Sequence, residues 1–196
     1  MSRTSTRSRS TKETRIEISL DLDADGASRV STGLPFFDHM LDQLARHGGL
    51  GLSVQARGDI EVDAHHTVED TGIVLGEALR EALGDKAGVR RFASITVPLD
   101  EAAVEVVVDL SGRPFLHYDV DFPGEKILGD PPFDPQLAEE FWRAFATAAA
   151  VTLHIVMRRG RNTHHIVEAS FKGVARALRD AVRVEGSALP STKGSL

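Results

Sequence analysis

The chain has 196 residues, 41% of them hydrophobic, which suits one domain or a compact duplicated one with a real core. Twenty-three basic against twenty-nine acidic residues leave a net charge of −6, which argues against a nucleic-acid face. The absence of cysteine excludes disulfides and thiolate metal sites, and no apolar run approaches the roughly 20 residues of a membrane span.

In chain order, residues 1–12 are rich in Ser and Thr and carry Arg3, Arg7, Arg9 and Lys12 without an acid, the composition of a mobile basic tail. An organelle transit peptide has a similar bias but is normally longer, and no signal-peptide core is visible, so the cytoplasm is the expected location. From Glu13 to Asp23, Ile16, Ile18, Leu20 and Leu22 alternate as in a strand with one buried face. Asp25-Gly26 marks a turn, and Val30 to Gly33 reads as a short second strand. Pro35 then opens a helix carrying Phe37, Met40, Leu41 and Leu44, stopped by Gly48-Gly49. Leu50 to Ala56 and Asp59 to Val62 read as strands.

Asp63-Ala64-His65-His66-Thr67-Val68-Glu69-Asp70 follows, and it comes back. Ninety-nine positions later stands His164-His165-Ile166-Val167-Glu168, and from His65 to Leu83 eight of nineteen positions match His164 to Val182 without a gap. Both copies continue at helical spacing, with Val68, Gly72, Leu75 and Leu79 against Val167, Phe171, Val174 and Leu178. A strand motif also recurs, Glu17 to Leu22 against Glu105 to Leu110, at an offset of 88. The offset grows to 99 because the second half holds an extra stretch, Pro114 to Pro135, whose prolines and glycines predict a surface loop. Past it, Leu137, Phe141, Phe145 and Ala148 predict a helix matching the one from Phe37 to His47. The chain therefore reads as two strand-helix-strand-helix units, 13–88 and 89–187, with 188–196 as a terminal tail.

At 100° per residue, His65 and Glu69 lie about 40° apart on their helix, whereas His66 points about 100° away from His65. The i, i+4 pair can share one metal while the adjacent His serves another. Two copies packed about a pseudo-twofold axis would then build two equivalent sites. Imidazole and carboxylate without thiolate suit Mn²⁺, Fe²⁺, Zn²⁺ or Ni²⁺, and carboxylate-rich octahedral coordination favours Mn²⁺. A single His-x-x-x-Glu is more often structural than ligating; its duplication favours metal.

Phe36-Phe37-Asp38-His39-Met40-Leu41, both doublet motifs, Asp109-Leu110-Ser111-Gly112-Arg113-Pro114 and Pro190-Ser191-Thr192-Lys193-Gly194 together resemble the imidazoleglycerol-phosphate dehydratases. The resemblance spans about Thr11 to Leu196. It implies an α+β fold of two four-stranded sheets enclosing a four-helix bundle, with halves like ribosomal protein S5 domain 2. It also implies a lyase of histidine biosynthesis, two Mn²⁺ per active site, and a homo-oligomer of 24 subunits with sites at their interfaces. Its ligand positions fall on His39, His65, His66, Glu69, Glu140, His164, His165 and Glu168, with Glu140 where relatives carry His or Glu. Together with the helix geometry this groups His65, Glu69 and His165 on one ion and His164, Glu168 and His66 on the other, completed by His39 and Glu140. The resemblance further points to Arg91, Arg113, Lys172, Ser191 and Lys193 as a phosphate clamp, with Gln43 near substrate.

The reaction removes a proton at C2 of the glycerol chain that no neighbouring carbonyl acidifies. An imidazolate bridged between two cations could push electrons toward C3, expel the hydroxyl and leave a diazafulvene-like species that then loses the C2 proton. Glu13 and Glu168 are the candidate proton carriers, and His66 and His165 complete the catalytic set. The rival readings are a metal-dependent hydrolase of a small phosphorylated substrate and a non-catalytic metal-assembled scaffold. The scaffold has no use for Arg91, Arg113, Lys172 and Lys193 together.

Overall fold

The computed structural model describes residues 3–124, 127–194 and 196. Among the described residues, twelve elements fall into two successive units of the same order. The first contains β1 (Thr4–Ser10), β2 (Thr14–Asp21), β3 (Ser28–Ser31), α1 (Pro35–Gly48), β4 (Gly51–Gly58) and α2 (His65–Leu83). The second contains β5 (Phe92–Leu99), β6 (Ala102–Asp109), β7 (Phe115–Asp119), α3 (Leu137–Ala149), β8 (Thr152–Arg159) and α4 (Thr163–Ala181). Each unit is thus three strands, a helix, a strand and a helix, which enlarges the expected strand-helix-strand-helix repeat.

The two sheets have equivalent orders, β1-β2-β4-β3 and β5-β6-β8-β7. Within each, the last pair is parallel and the others are antiparallel. The period-2 pattern of β2 places Ile16, Ile18 and Leu20 in the core, as Val104, Val106 and Val108 are placed from β6. The helices fill the space between the sheets: α2 packs on β1 and β2, α4 on β5 and β6, α1 against α4 and α3 against α2. This is the expected α+β architecture, two four-stranded sheets around four helices.

The α2 and α3 backbones lie so close that a Cβ on Gly76 would stand 2.6 Å from the Phe145 carbonyl oxygen and 2.8 Å from Ala148 Cβ. Gly76→Ala should therefore lose about 1–3 kcal/mol of stability by overpacking, more than the helix-propensity gain of about 1 kcal/mol offsets. Thermal unfolding of the variant checks this.

Four local expectations are corrected. The tail expected to be mobile forms β1 over Thr4–Ser10, paired along the whole of β2; residues 1 and 2 lie outside the described residues. Its arginines are not merely solvated, because Arg3 meets Asp23, Arg7 meets Glu81 and Arg9 meets Asp70, so carboxylates far along the chain stabilise an edge strand of β-tolerant Thr and Ser. The second short strand spans Ser28–Ser31, not 30–33, and Asp59 to Val62 is a turn closed by Val62 N–H donating to the Asp59 carbonyl at 2.8 Å. Within 114–135, Phe115–Asp119 is strand β7 and Phe133 is fully buried beside Phe36 and Phe37, so this stretch is not all surface loop.

Candidate active site

The first turns of α2 and α4 project the two doublets. Asn162 caps α4, its side-chain oxygen accepting from His165 N–H at 3.2 Å. His164 and Glu168, one turn apart, then meet His39 from α1. Glu168 Oε2 lies 2.9 Å from His164 Nε2 and 3.2 Å from His39 Nε2, while Lys172 Nζ approaches Oε1 at 2.5 Å. Burial alone would push the Glu168 carboxyl up; the Lys172 ammonium, then His164 and His39, outweigh it and hold the group ionised, down to about 2. His39, His164 and Glu168 each offer one atom within 4.8 Å of the others, and no other such group of three or more occurs among the described residues. Two imidazoles and an ionised carboxylate on rigid helices fit a divalent cation.

The equivalent corner of the first unit is looser. His65 Nε2 stands 3.9 Å from Glu69 Oε2, and His65 and Glu140 line one cleft of about 560 Å³ beside Asp63 and Asp134. Glu140 also lies 3.7 Å from Arg143. Helix pairing thus associates His39 with His164 and Glu168, and Glu140 with His65.

His66 and His165 do not join those groups within the chain. They turn to carboxylates of their own unit. His66 Nδ1 lies 3.1 and 3.2 Å from the two Asp59 oxygens, which raises its pKa, with Glu13 Oε2 at 3.9 Å. His165 Nδ1 lies 2.7 Å from Glu101 Oε2. Glu101 Oε1 accepts from the Arg161 and Asn162 backbone N–H groups at 3.0 and 2.7 Å. The Asn162 N–H, then His165 and the Arg161 N–H, hold the Glu101 carboxyl down to about 2. The adjacent histidines do diverge as the helical angle requires, but away from the chain's own ligand groups.

The expected phosphate residues divide between two places. Lys172 stands with Glu168, and Gln43 Oε1 lies 3.1 Å from His47 Nε2 on α1. Arg91 sits instead at the far end of α4, its backbone N–H donating to the Ala181 carbonyl at 2.9 Å. Its guanidinium grips Asp109 at 2.7 and 3.2 Å and donates to the Pro190 carbonyl at 2.7 Å, tying down the C-terminal segment. Arg113 Nη2 is 3.8 Å from Asp109, and Ser191 Oγ accepts from Lys193 N–H at 3.2 Å. Seventeen residues of helix separate His164 from Ala181, about 25 Å at 1.5 Å per residue. No small phosphorylated imidazole bridges Arg91 and His164 of one chain.

Sequence reasoning missed Asp59 and Glu101, and quoted Asp70 and Asp109 within motifs without giving either a role. Asp70 is buried, receiving Arg9 Nε at 2.8 Å and the Thr14 hydroxyl, and so anchors the turn that carries Glu13. A usable signal existed for Glu101: it follows Glu13 by the same 88 positions that align β2 with β6.

A family model for imidazoleglycerol-phosphate dehydratase matches residues 32–178, which contain both doublets, His39 and Lys172. The chain belongs to the imidazoleglycerol-phosphate dehydratase family. Membership makes it a hydro-lyase. It is 59% identical over 189 residues to the imidazoleglycerol-phosphate dehydratase of Anaeromyxobacter sp. strain Fw109-5, covering 96% of this chain and 91% of that one. The Methanopyrus kandleri enzyme of the same name is 51% identical over 194 residues, 99% of this chain and 96% of that one. Solved structures agree with the fold. The Staphylococcus aureus dehydratase matches with a TM-score of 0.82 at 39% identity, over 92% of this chain and 99% of that one. The Pyrococcus furiosus dehydratase in complex with (S)-C348 matches at 0.83 and 38%, over 97% and 100%.

Proposed function

We propose that the chain dehydrates imidazole glycerol phosphate to imidazole acetol phosphate in histidine biosynthesis, at active sites built between neighbouring subunits. The observation that carries this reading is Glu168, held ionised between His39, His164 and Lys172. The separation of Arg91, Arg113 and the 188–194 segment from that centre supports a site in which one chain supplies metal ligands and a neighbour grips phosphate. Such a site needs a homo-oligomer, in this reading one of 24 subunits in the cytoplasm, as the family resemblance implies.

Two Mn²⁺ per active site would be held by His39, His164 and Glu168 and by His65, Glu69 and Glu140, with outward-facing His66 and His165 supplied across subunit contacts. When bound, the ions supply Lewis acidity at the substrate's imidazole nitrogens. The residues do the rest. Arg91, Arg113, Lys172, Ser191 and Lys193 fix the phosphate by charge-assisted hydrogen bonds, and Gln43 lies beside the substrate. The C3–O bond breaks and the hydroxyl leaves as water with one added proton; the C2–H bond gives its proton to a base and its electrons to the new double bond. The resulting enol becomes the ketone by proton transfer to C3. Glu13, held by the Thr11 to Thr14 turn, and Glu168 are the proton carriers, with His66 and His165 completing the set.

Protein stripped with chelator should be inactive and should regain imidazole acetol phosphate formation on adding Mn²⁺. No activity in the reconstituted protein would overturn the dehydration, and equal activity in both would overturn the metal.

A further inference from the structure

The two units treat their outward histidines alike, but with carboxylates from different places. Glu13 and Glu101 are counterparts, each one residue before the second strand of its unit's first hairpin. Each approaches the second histidine of its doublet. Yet Glu101 Oε2 is 2.7 Å from His165 Nδ1, whereas Glu13 Oε2 is 3.9 Å from His66 Nδ1, where Asp59 has taken the contact.

The counterpart of Asp59, one residue past the fourth strand of the second unit, is Gly160, where even a Cβ would stand 2.6 Å from Ile166 Cγ1. The second unit therefore cannot supply a carboxylate from that position, and its hairpin glutamate does so. We infer that Asp59 and Glu101 are positioning residues for His66 and His165, each accepting a hydrogen bond from Nδ1–H so that Nε2 carries the free lone pair, and that Asp59 thereby releases Glu13 from this duty to meet substrate. A carboxylate behind a ligating imidazole fixes both its tautomer and its ring orientation.

This rests on the metal reading above and extends it to residues outside the ligand set. The test is Mn²⁺ affinity of the full-length protein without substrate, measured by competition with a chelator, beside the unfolding temperature of the metal-free protein. Glu101→Gln separates positioning from folding. Its remaining carbonyl oxygen can still accept from the Arg161 and Asn162 N–H groups, while its amide donates to Nδ1 and drives the proton onto Nε2. Glu101→Gln and Asp59→Asn should each weaken Mn²⁺ binding by about 10–100-fold with an unchanged metal-free unfolding temperature. Glu13→Gln should keep wild-type Mn²⁺ affinity while losing turnover. Wild-type Mn²⁺ affinity in Glu101→Gln, or a loss matched by a lowered unfolding temperature of the metal-free protein, would overturn the inference. Absence of Mn²⁺ binding by the wild-type protein would overturn it through the metal reading on which it rests.

Discussion

Glu168→Gln is expected to lower dehydration by about 10²–10⁴-fold, the range of a lost proton carrier, and to weaken Mn²⁺ binding as well. The amide keeps the shape of the side chain but not its charge, so His39, His164 and Lys172 lose their common anionic partner. Lys172 is then left half-paired beside a buried site, which costs about 1–3 kcal/mol in the metal-free protein. The sign of the pH effect is set by the direction of the shift. Because the folded carboxyl lies near 2, below the unfolded value of 4.5, its contribution is present above pH 4.5 and is lost as pH falls through that window toward 2. Metal-free Glu168→Gln protein should lack this part of the acid-unfolding profile, with turnover and Mn²⁺ content measured on the same preparation.

Arg91→Ala is expected to reduce kcat/KM by at least about 100-fold, chiefly through KM, since about 1.5–3 kcal/mol accompanies each lost hydrogen bond to a charged group. The residue acts twice. In the proposed site it would offer charge to phosphate, and its hold on Asp109 and the Pro190 carbonyl anchors the segment that carries Ser191 and Lys193. Arg91→Lys retains the charge but not the fork that spans both Asp109 oxygens, so it should recover only part of the loss. Mn²⁺ binding should not change in either variant, because Arg91 stands at the opposite end of α4 from His164. Steady-state titration with substrate separates KM from kcat.

Much of this architecture is legible in the residues. The 99-residue repeat of His-His-x-x-Glu places α2 and α4 in equivalent roles, and the alternation of Ile16, Ile18 and Leu20 marks the buried face of β2. Strand β1 was not legible, since a Ser, Thr and Arg composition has no apolar face of its own; its partners Asp70 and Glu81 stand some sixty or more positions away. The helical angle between adjacent histidines correctly separates His65 from His66. It does not say where the second one goes, and that depends on Asp59 and Glu101, which arrive from a turn and a hairpin. The division of the phosphate residues was hidden for a similar reason: Arg91 and Lys172 read alike as cations, and only the packing of Arg91 on the end of α4 parts them.

The most direct measurement is dehydration by particles in which Glu168→Gln and Arg91→Ala chains are co-expressed and co-purified. With substrate kept well below the KM of Arg91→Ala, each variant alone should be nearly inactive. If every active site takes its ligands from one chain and its phosphate grip from another, mixed particles contain some sites with intact Glu168 and intact Arg91, and activity returns well above either parent. Mixed particles no more active than the two parents would contradict a site shared between subunits.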